Sequence, residues 1–278
     1  MCRSWSCTHV LGPCLLLLAG CAAAGCAKDE TIRSAGADAD AESVAASMDP
    51  SSSDPSTQDS IFAFLALIDQ EAFRISFEHL DQKTFTRYTR TEQFDENDLL
   101  LAFEERVIRH SGPPARRNFD LIDQDSGGVF DYGYLQPFVS DSEPSRDPMD
   151  FARRIVPDDP AYMSARNRDA YVYRPLPDTL MGEVSARVIE IRARPQVGDG
   201  QNVRYVRLYV DRNSSRLIAM YLERVDRAMW YREESIFYVH IRRMPGTSWM
   251  PYNTRFETRI TVPFRPAQRF RTASTYYG

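Results

Sequence analysis

Val203-Arg204-Tyr205-Val206-Arg207-Leu208-Tyr209-Val210-Asp211, the turn Arg212-Asn213-Ser214-Ser215, and then Arg216-Leu217-Ile218-Ala219-Met220-Tyr221-Leu222-Glu223 decide how this chain folds. Both runs are rich in β-branched and aromatic residues and alternate in polarity, which suits strands. The connection is too short for a crossover, so the two must pair antiparallel. The same grammar repeats around them, in Tyr171 to Arg174, Gly182 to Ala193, Trp230 to Met244, Thr254 to Pro263 and Gln268 to Tyr277. Gly198-Asp199-Gly200 and Pro245-Gly246 supply further turns. One antiparallel meander, forming a single sheet, is the expectation.

Its faces differ. Ile218, Met220 and Leu222 share one side, Phe237, Val239 and Ile241 continue it, and Phe256, Ile260 and Val262 extend it. Glu223, Arg242, Arg255, Glu257 and Arg259 fall on the other. A sheet with one dry and one wet face must cover the dry one. The candidates are an N-terminal helix, a middle excursion, or a bound apolar molecule.

Upstream, Ile61, Leu65, Ile68, Ala72 and Ile75 recur at spacings of four and three behind Asp59, a plausible cap. This predicts one amphipathic helix whose stripe Phe73, Phe77 and Leu80 widen, serving as core packing or as a lid on a ligand cavity. Thr84 to Gln93 and Leu99 to His110 return to a period of two. Asn118 to Ile122 and Val129 to Leu135 suggest a hairpin about the turn Asp123-Gln124-Asp125-Ser126-Gly127-Gly128. The two alternating aspartates resemble the start of a calcium loop. Gly127 stands where a third ligand is needed, however, and Tyr134 where a bidentate glutamate is needed. A plain turn is expected. From Asp141 to Arg168 runs an excursion rich in Pro, Asp, Ser and Arg, with a short helix from Pro148 to Ile155. Such segments are often flaps or partner-binding loops.

Composition is that of a globular protein, 43% hydrophobic and 26% charged, with net charge -5. All but two of the 34 basic residues are arginines, the lysines being Lys28 and Lys83. They alternate with apolar residues near acids, which marks a solvated face and no nucleic-acid partner. His79, His110 and His240 lack metal-ligand spacing. No nucleophile elbow or phosphate loop appears, and Glu104-Glu105 and Asp158-Asp159 point different ways if extended. No enzyme, cofactor or metal site is expected.

The five cysteines, Cys2, Cys7, Cys14, Cys21 and Cys26, all lie near the N-terminus. Thiol catalysis and cysteine-zinc sites are therefore excluded from the folded part. Arg3 and His9 precede an apolar run from Val10 to Leu18, the core of a signal peptide and too short to span a bilayer. It ends in Leu18-Ala19-Gly20-Cys21, which resembles the lipobox of bacterial lipoproteins. The resemblance implies cleavage before Cys21 and acyl chains on its sulfur, a lasting anchor because two or three chains bury many methylenes. An ordinary secretory cut near Ala22 to Ala24 is the alternative. Ala22 is not the aspartate that retains such proteins in the inner membrane, so the resemblance implies an outer-membrane address facing the periplasm. The Ala-, Ser-, Asp- and Glu-rich stretch that follows cannot bury a core. It is expected to be a tether with an end-to-end distance of roughly 35 Å. The division is thus 1–20 signal peptide, 21–58 acylated cysteine and tether, and 59–278 folded domain.

Helix, antiparallel sheet, and the stretches Val206 to Asp211 and Arg216 to Met220 together are similar to the lipoprotein-sorting proteins of the LolA/LolB type. A related module occurs in periplasmic regulators of the RseB type. The resemblance covers Asp59 to Gly278. It implies an α+β fold, a strongly curved antiparallel sheet or incomplete β-barrel with helices on its concave face, and a hydrophobic cavity that accepts acyl chains. Met220, Leu222, Phe237, Val239, Ile241 and Phe256 are the expected ligand-binding residues, with an acyl lipid or lipoprotein as ligand. The alternative is an envelope protein-interaction or stress-sensing module with a self-filled core. It would work through the excursion and the aromatic residues Trp249, Tyr252, Tyr276 and Tyr277.

Overall fold

The computed structural model describes residues 55–112, 118–131, 148–195, 200–244 and 248–278. The signal peptide, Cys21, nearly all of the tether, Pro245-Gly246 and part of the 141–168 excursion lie outside them. Every described element belongs to one compact unit, Asp49–Gly278, with its own core.

Its elements run α1 (Pro55–Leu65), α2 (Gln70–Gln82), β1 (Phe85–Phe94), β2 (Leu100–Ser111), β3 (Asn118–Gly128), α3 (Pro148–Ile155) and a 3-10 turn (Ala165–Ala170). Then follow β4 (Tyr171–Met181), β5 (Val184–Ala193), β6 (Val203–Asp211), β7 (Leu217–Ala228), β8 (Tyr231–Arg243), β9 (Trp249–Thr261) and β10 (Gln268–Tyr277). The ten strands form one sheet in the order β3-β2-β1-β10-β9-β8-β7-β6-β5-β4, antiparallel throughout. The C-terminal meander is as expected, and β6, β10 and α3 have the expected bounds. β4 runs further than Tyr171 to Arg174 because its prolines, Pro175 and Pro177, sit at the sheet's edge, where missing donors are tolerated, beside an irregularity between Leu176 and Thr179.

The expected incomplete β-barrel is overturned. The sheet is open, ending in β3 and β4, which do not pair with each other, and it is not strongly curled. Closure needs a dry face that continues from strand to strand. Here the apolar cluster draws on β4 to β9, the start of β1 and the end of β10, whereas β2 and β3 contribute nothing to it. Asn118 to Ser126 of β3 are exposed on both faces. Helices flank the dry face instead: α2 lies on β7 and β9, α1 on β4, and α3 on α2.

The single expected helix is two. Asp69, not Asp59, is the cap, its Oδ1 accepting from Ala72 N at 2.8 Å. Asp69 N donates to Ser215 O at 3.3 Å, which ties the break to the turn before β7. A cap of this kind stabilises a helix by about 1 kcal/mol. The apolar spacing runs across the break undisturbed, so Ile61, Leu65 and Ile68 are buried as expected while Ile75 is exposed.

Asp123 to Gly128 is not a turn. These residues pair with β2, with Asp125 opposite Glu105 and Gly127 opposite Phe103. The glycines serve close approach: a Cβ on Gly127 would stand 2.5 Å from the Phe103 ring, and one on Gly128, whose φ is +73°, 2.1 Å from Leu101 O. The chain end beyond β3 is held by Gln93, whose amide reaches Asp131 O at 2.9 Å and accepts from Asp131 N at 2.8 Å.

The described part of the excursion contributes to the core. Phe151, Ala152, Ile155, Val156 and Tyr162 are all buried. Arg74 of α2 binds this segment, donating to Val156 O at 3.3 Å and Pro157 O at 3.4 Å.

Candidate functional site

The six residues expected to bind a ligand form one patch across three strands. Met220 stands opposite Val239, Leu222 opposite Phe237, and Phe237 opposite Phe256, with the last two rings 4.8 Å apart. Ile241 extends the patch along β8, and all six are buried. The side chains in the same cluster that cover them are Phe73, Phe77 and Leu80 of α2, Phe151 and Ile155 of α3, and Tyr162. The Tyr162 hydroxyl lies 3.9 Å from Met220 Sδ, and Tyr162 O accepts from the Tyr173 hydroxyl at 3.1 Å. Burial pushes the Tyr162 hydroxyl far above its ordinary range, so this group stays a neutral donor at any physiological pH. The structure therefore brings the predicted patch together beneath the protein's own aromatic side chains.

One cleft, of about 390 Å³, opens at the margin of this cover. Asp69, Glu71, Ala72, Ile75, Ser76 and His79 line it from α2 and its cap, and Arg216, Ser248 and Trp249 from the sheet. Arg216 donates to Ala72 O at 3.3 Å, and its guanidinium lies 5.3 Å from the Trp249 ring centroid. His79 Nδ1 lies 2.9 Å from Trp249 O. The cleft thus joins a cation, two carboxylates and an aromatic ring to the exposed edge of Ile75. Ser76, Ser248 and His79 share its lining, the Ser76 hydroxyl donating to Ala72 O at 2.8 Å. Sequence reasoning named Ala72, Ile75, His79, Arg216 and Trp249, each for a different reason, and did not bring them together, because the lining comes from segments far apart in the chain, with no shared period.

The far face of the sheet is a lattice of Tyr, Arg and Glu. Glu190 accepts from Arg192 Nε at 3.1 Å and from the Tyr205 hydroxyl at 3.0 Å. Burial alone would raise the Glu190 carboxyl, but these hydrogen bonds and the charges of Arg192 and Arg174 outweigh it and hold the group below its ordinary range. Burial pushes Tyr205 and Tyr238 up to about 12. Of the aromatic residues assigned to a partner surface, Tyr252 lies beneath Arg242, at 3.6 Å, and Tyr277 is exposed. Tyr276 is buried in the core, so the four do not make one surface.

His240 lies on this face, edge-on to Tyr252. Burial first, and then the positive charge of Arg242, hold its imidazole below the ordinary value of 6.5. The unfolded chain therefore takes up a proton that the folded one resists. The stabilisation is complete above pH 6.5 and is lost as pH falls toward the depressed folded value. Chemical unfolding at a series of pH values is expected to show stability falling in that window, with a flatter limb for His240→Gln. Superimposable limbs would remove His240 as the cause.

Among the described residues no cluster of His, Cys, Asp or Glu could hold a metal ion, and no helix is long and apolar enough to cross a membrane. No family model matches the chain, and no curated protein matches it. Solved structures similar to it include a domain from Vibrio parahaemolyticus described as outer membrane lipoprotein-sorting, at 8% identity over 74% of this chain and 89% of that one, with a TM-score of 0.23. A DUF1329 family protein from Desulfovibrio piger shows 9% identity over 75% of this chain and 90% of that one, TM-score 0.23. A LolA superfamily protein from Nitrosomonas europaea shows 7% identity over 71% and 85%, TM-score 0.19. At these scores the likeness assigns the chain to no family.

Proposed function

We propose that this chain is an outer-membrane lipoprotein, anchored by acyl chains on Cys21, that binds an apolar or acylated ligand against the dry face of its sheet without catalysing a reaction. The observation that carries the reading is the continuous apolar patch of Met220, Leu222, Phe237, Val239, Ile241 and Phe256, roofed by separate helices. Apart from the backbone bond of Asp69 N to Ser215 O at the α2 cap, they meet the sheet through side chains, so away from that tie they can part from it without breaking the strand ladder. The cleft at the α2 margin, with Ile75 and Trp249 in its walls, is the entrance. An acyl chain entering there replaces contacts with Phe77 and Tyr162 by its own methylenes, each contributing about 0.8 kcal/mol when buried. The periplasmic, lipid-anchored address rests on Leu18-Ala19-Gly20-Cys21.

Organic extraction of the chain purified from a bacterial envelope, followed by mass spectrometry, tests this. Beyond the acyl chains bonded to Cys21, one non-covalent acyl lipid per chain is the expected result. Folded protein that yields none counts against the reading. That outcome favours the alternative of an envelope interaction module with a self-filled core, which the contact of Tyr162 with Met220 supports.

A further inference from the structure

The apolar patch has a polar continuation on the same face of the sheet. Along one rung Met220 stands opposite Val239, Val239 opposite Thr254, Thr254 opposite Ser274, and Ser274 opposite Thr89. The next rung runs from Leu222, Phe237 and Phe256 to Thr272 and Thr91. Hydrocarbon thus gives way to hydroxyls at β9 and β10. Thr89, Thr254, Thr272 and Ser274 are buried, and Thr89 Oγ1 lies 3.0 Å from Ser274 Oγ.

At the far side of this strip stands Arg87. Alternation along β1 places it on the same face as Phe85 and Thr89, both buried. Arg87 itself is only 4% exposed. Among the described residues it forms no ion pair: Glu92 is bound by Arg90 and Arg271, Glu105 by Arg90, and Glu104 by Arg106. Its guanidinium is hydrogen-bonded to the Tyr276 hydroxyl, which burial keeps neutral, and its Nε has no hydrogen-bond partner among the described residues. Burying a cation without a counter-charge is costly, and an apolar side chain of similar volume would avoid that cost. The position therefore suits an anion that arrives from outside.

The layout is that of an amphiphile. Val239 on β8 and Arg87 on β1 are three strand spacings apart, about 14 Å. The cleft opens at the Arg87 end: β1 and β9 both run antiparallel to β10, so Arg87 near the start of β1 and Trp249 at the start of β9 share one end of the sheet.

We propose that the ligand of the dry face is an anionic amphiphile, its acyl chain on Val239, Phe237 and Phe256 and its oxyanion on the forked donors of Arg87. The proposal rests on the ligand reading above and adds the head group. A guanidinium takes a carboxylate or a phosphate in the same two-bond geometry, so a fatty acid and a lipid phosphate share the required chemistry.

The test equilibrates the full chain, in one detergent, with labelled palmitate, palmitoyl lysophosphatidate or monopalmitoylglycerol, and counts bound ligand after gel filtration. At least one of the two anions is expected to bind about tenfold or more tighter than the neutral ester, and the tighter anion names the source. Arg87→Met should abolish that preference, leave binding of the neutral ester unchanged, and leave Tm unchanged or higher because an unpaired buried charge is gone. Equal wild-type binding of all three, a preference that survives Arg87→Met, or loss of neutral-ester binding together with a lower Tm would each overturn the proposal. Charge-blind binding ends this proposal alone, whereas failure of all three ligands to bind ends the ligand reading with it.

Discussion

Phe77→Ala is expected to lower the unfolding free energy by about 3–5 kcal/mol, as large-to-small changes of buried aromatics do. Phe77 has no exposed surface, and its ring centroid lies 5.6 Å from Phe73 and 5.9 Å from Phe151. It therefore joins α2 to α3 over the dry face. The loss combines the transfer free energy of the ring with the dispersion contacts its neighbours forfeit around the hole. Urea unfolding should show an earlier midpoint with an unchanged slope, since the area exposed on unfolding hardly alters. Leu67→Ala is the control. Leu67 is 67% exposed, and its loss should change stability by no more than about 0.5 kcal/mol. Comparable effects at the two sites would mean that the helical cover is not packed as described.

Arg74→Ala is expected to cost about 2–3 kcal/mol through a different mechanism. The Arg74 guanidinium is buried, donates to Glu71 Oε2 at 2.9 and 2.5 Å and to Val156 O and Pro157 O, and lies 3.4 Å from Asp158 Oδ1. Glu71 and Asp158 are well exposed, so their ion pairs contribute little. The two carbonyls dominate. Removing their donor leaves Val156 O without this charged partner, and hydrogen bonds to charged groups are worth about 1.5–3 kcal/mol each. Arg74→Lys should recover only part of the loss, because an ammonium lacks the planar fork that reaches several acceptors at once. Amide hydrogen exchange should quicken in residues 151–160 before it does in β7 and β8. Uniform acceleration along the chain would show that Arg74 supports the whole fold and not this junction.

Much of the fold could be read from the chain, and the reason differs by element. Strands β6 and β8 to β10 alternate because one side chain in two must leave water, so period and turn chemistry suffice to locate them. β3 obeys no such demand. Its side chains are exposed on both faces, and Asp123 to Gly128 look like a turn because nothing requires them to be apolar. Only backbone pairing with β2, and the room that Gly127 leaves for Phe103, make them a strand. The break between α1 and α2 was hidden for the opposite reason: the apolar spacing passes through it intact. What ends α1 is a contact of Asp69 with Ser215, almost 150 residues away, which no local window contains. The open sheet follows from β3 as well, since a strand without a dry face gives curvature nothing to enclose. The patch residues were legible as a dry face. Their roof of Phe77 and Tyr162, and the cleft of Arg216 and Trp249, arise from tertiary packing alone.

The position of β10 has a consequence for the order in which the molecule can assemble. β10 sits between β9 and β1, so among the described residues it is the strand that joins the meander to the N-terminal strands within the sheet. A chain emerging N-terminus first can complete β1 to β3 and then β4 to β9 as local hairpins, with α1 and α2 able to pack on the meander, yet the two parts of the sheet stay unpaired with each other until Gln268–Tyr277 arrives. Until then β1 and β9 each expose an unpaired edge, Thr86 to Phe94 awaiting Arg269 to Tyr277, and Asn253 to Ile260 awaiting Gln268 to Thr275. Joining of the two parts of the sheet is therefore gated by Gln268–Tyr277, and the interval before they pair is when these edges are most open to aggregation or to capture by a chaperone.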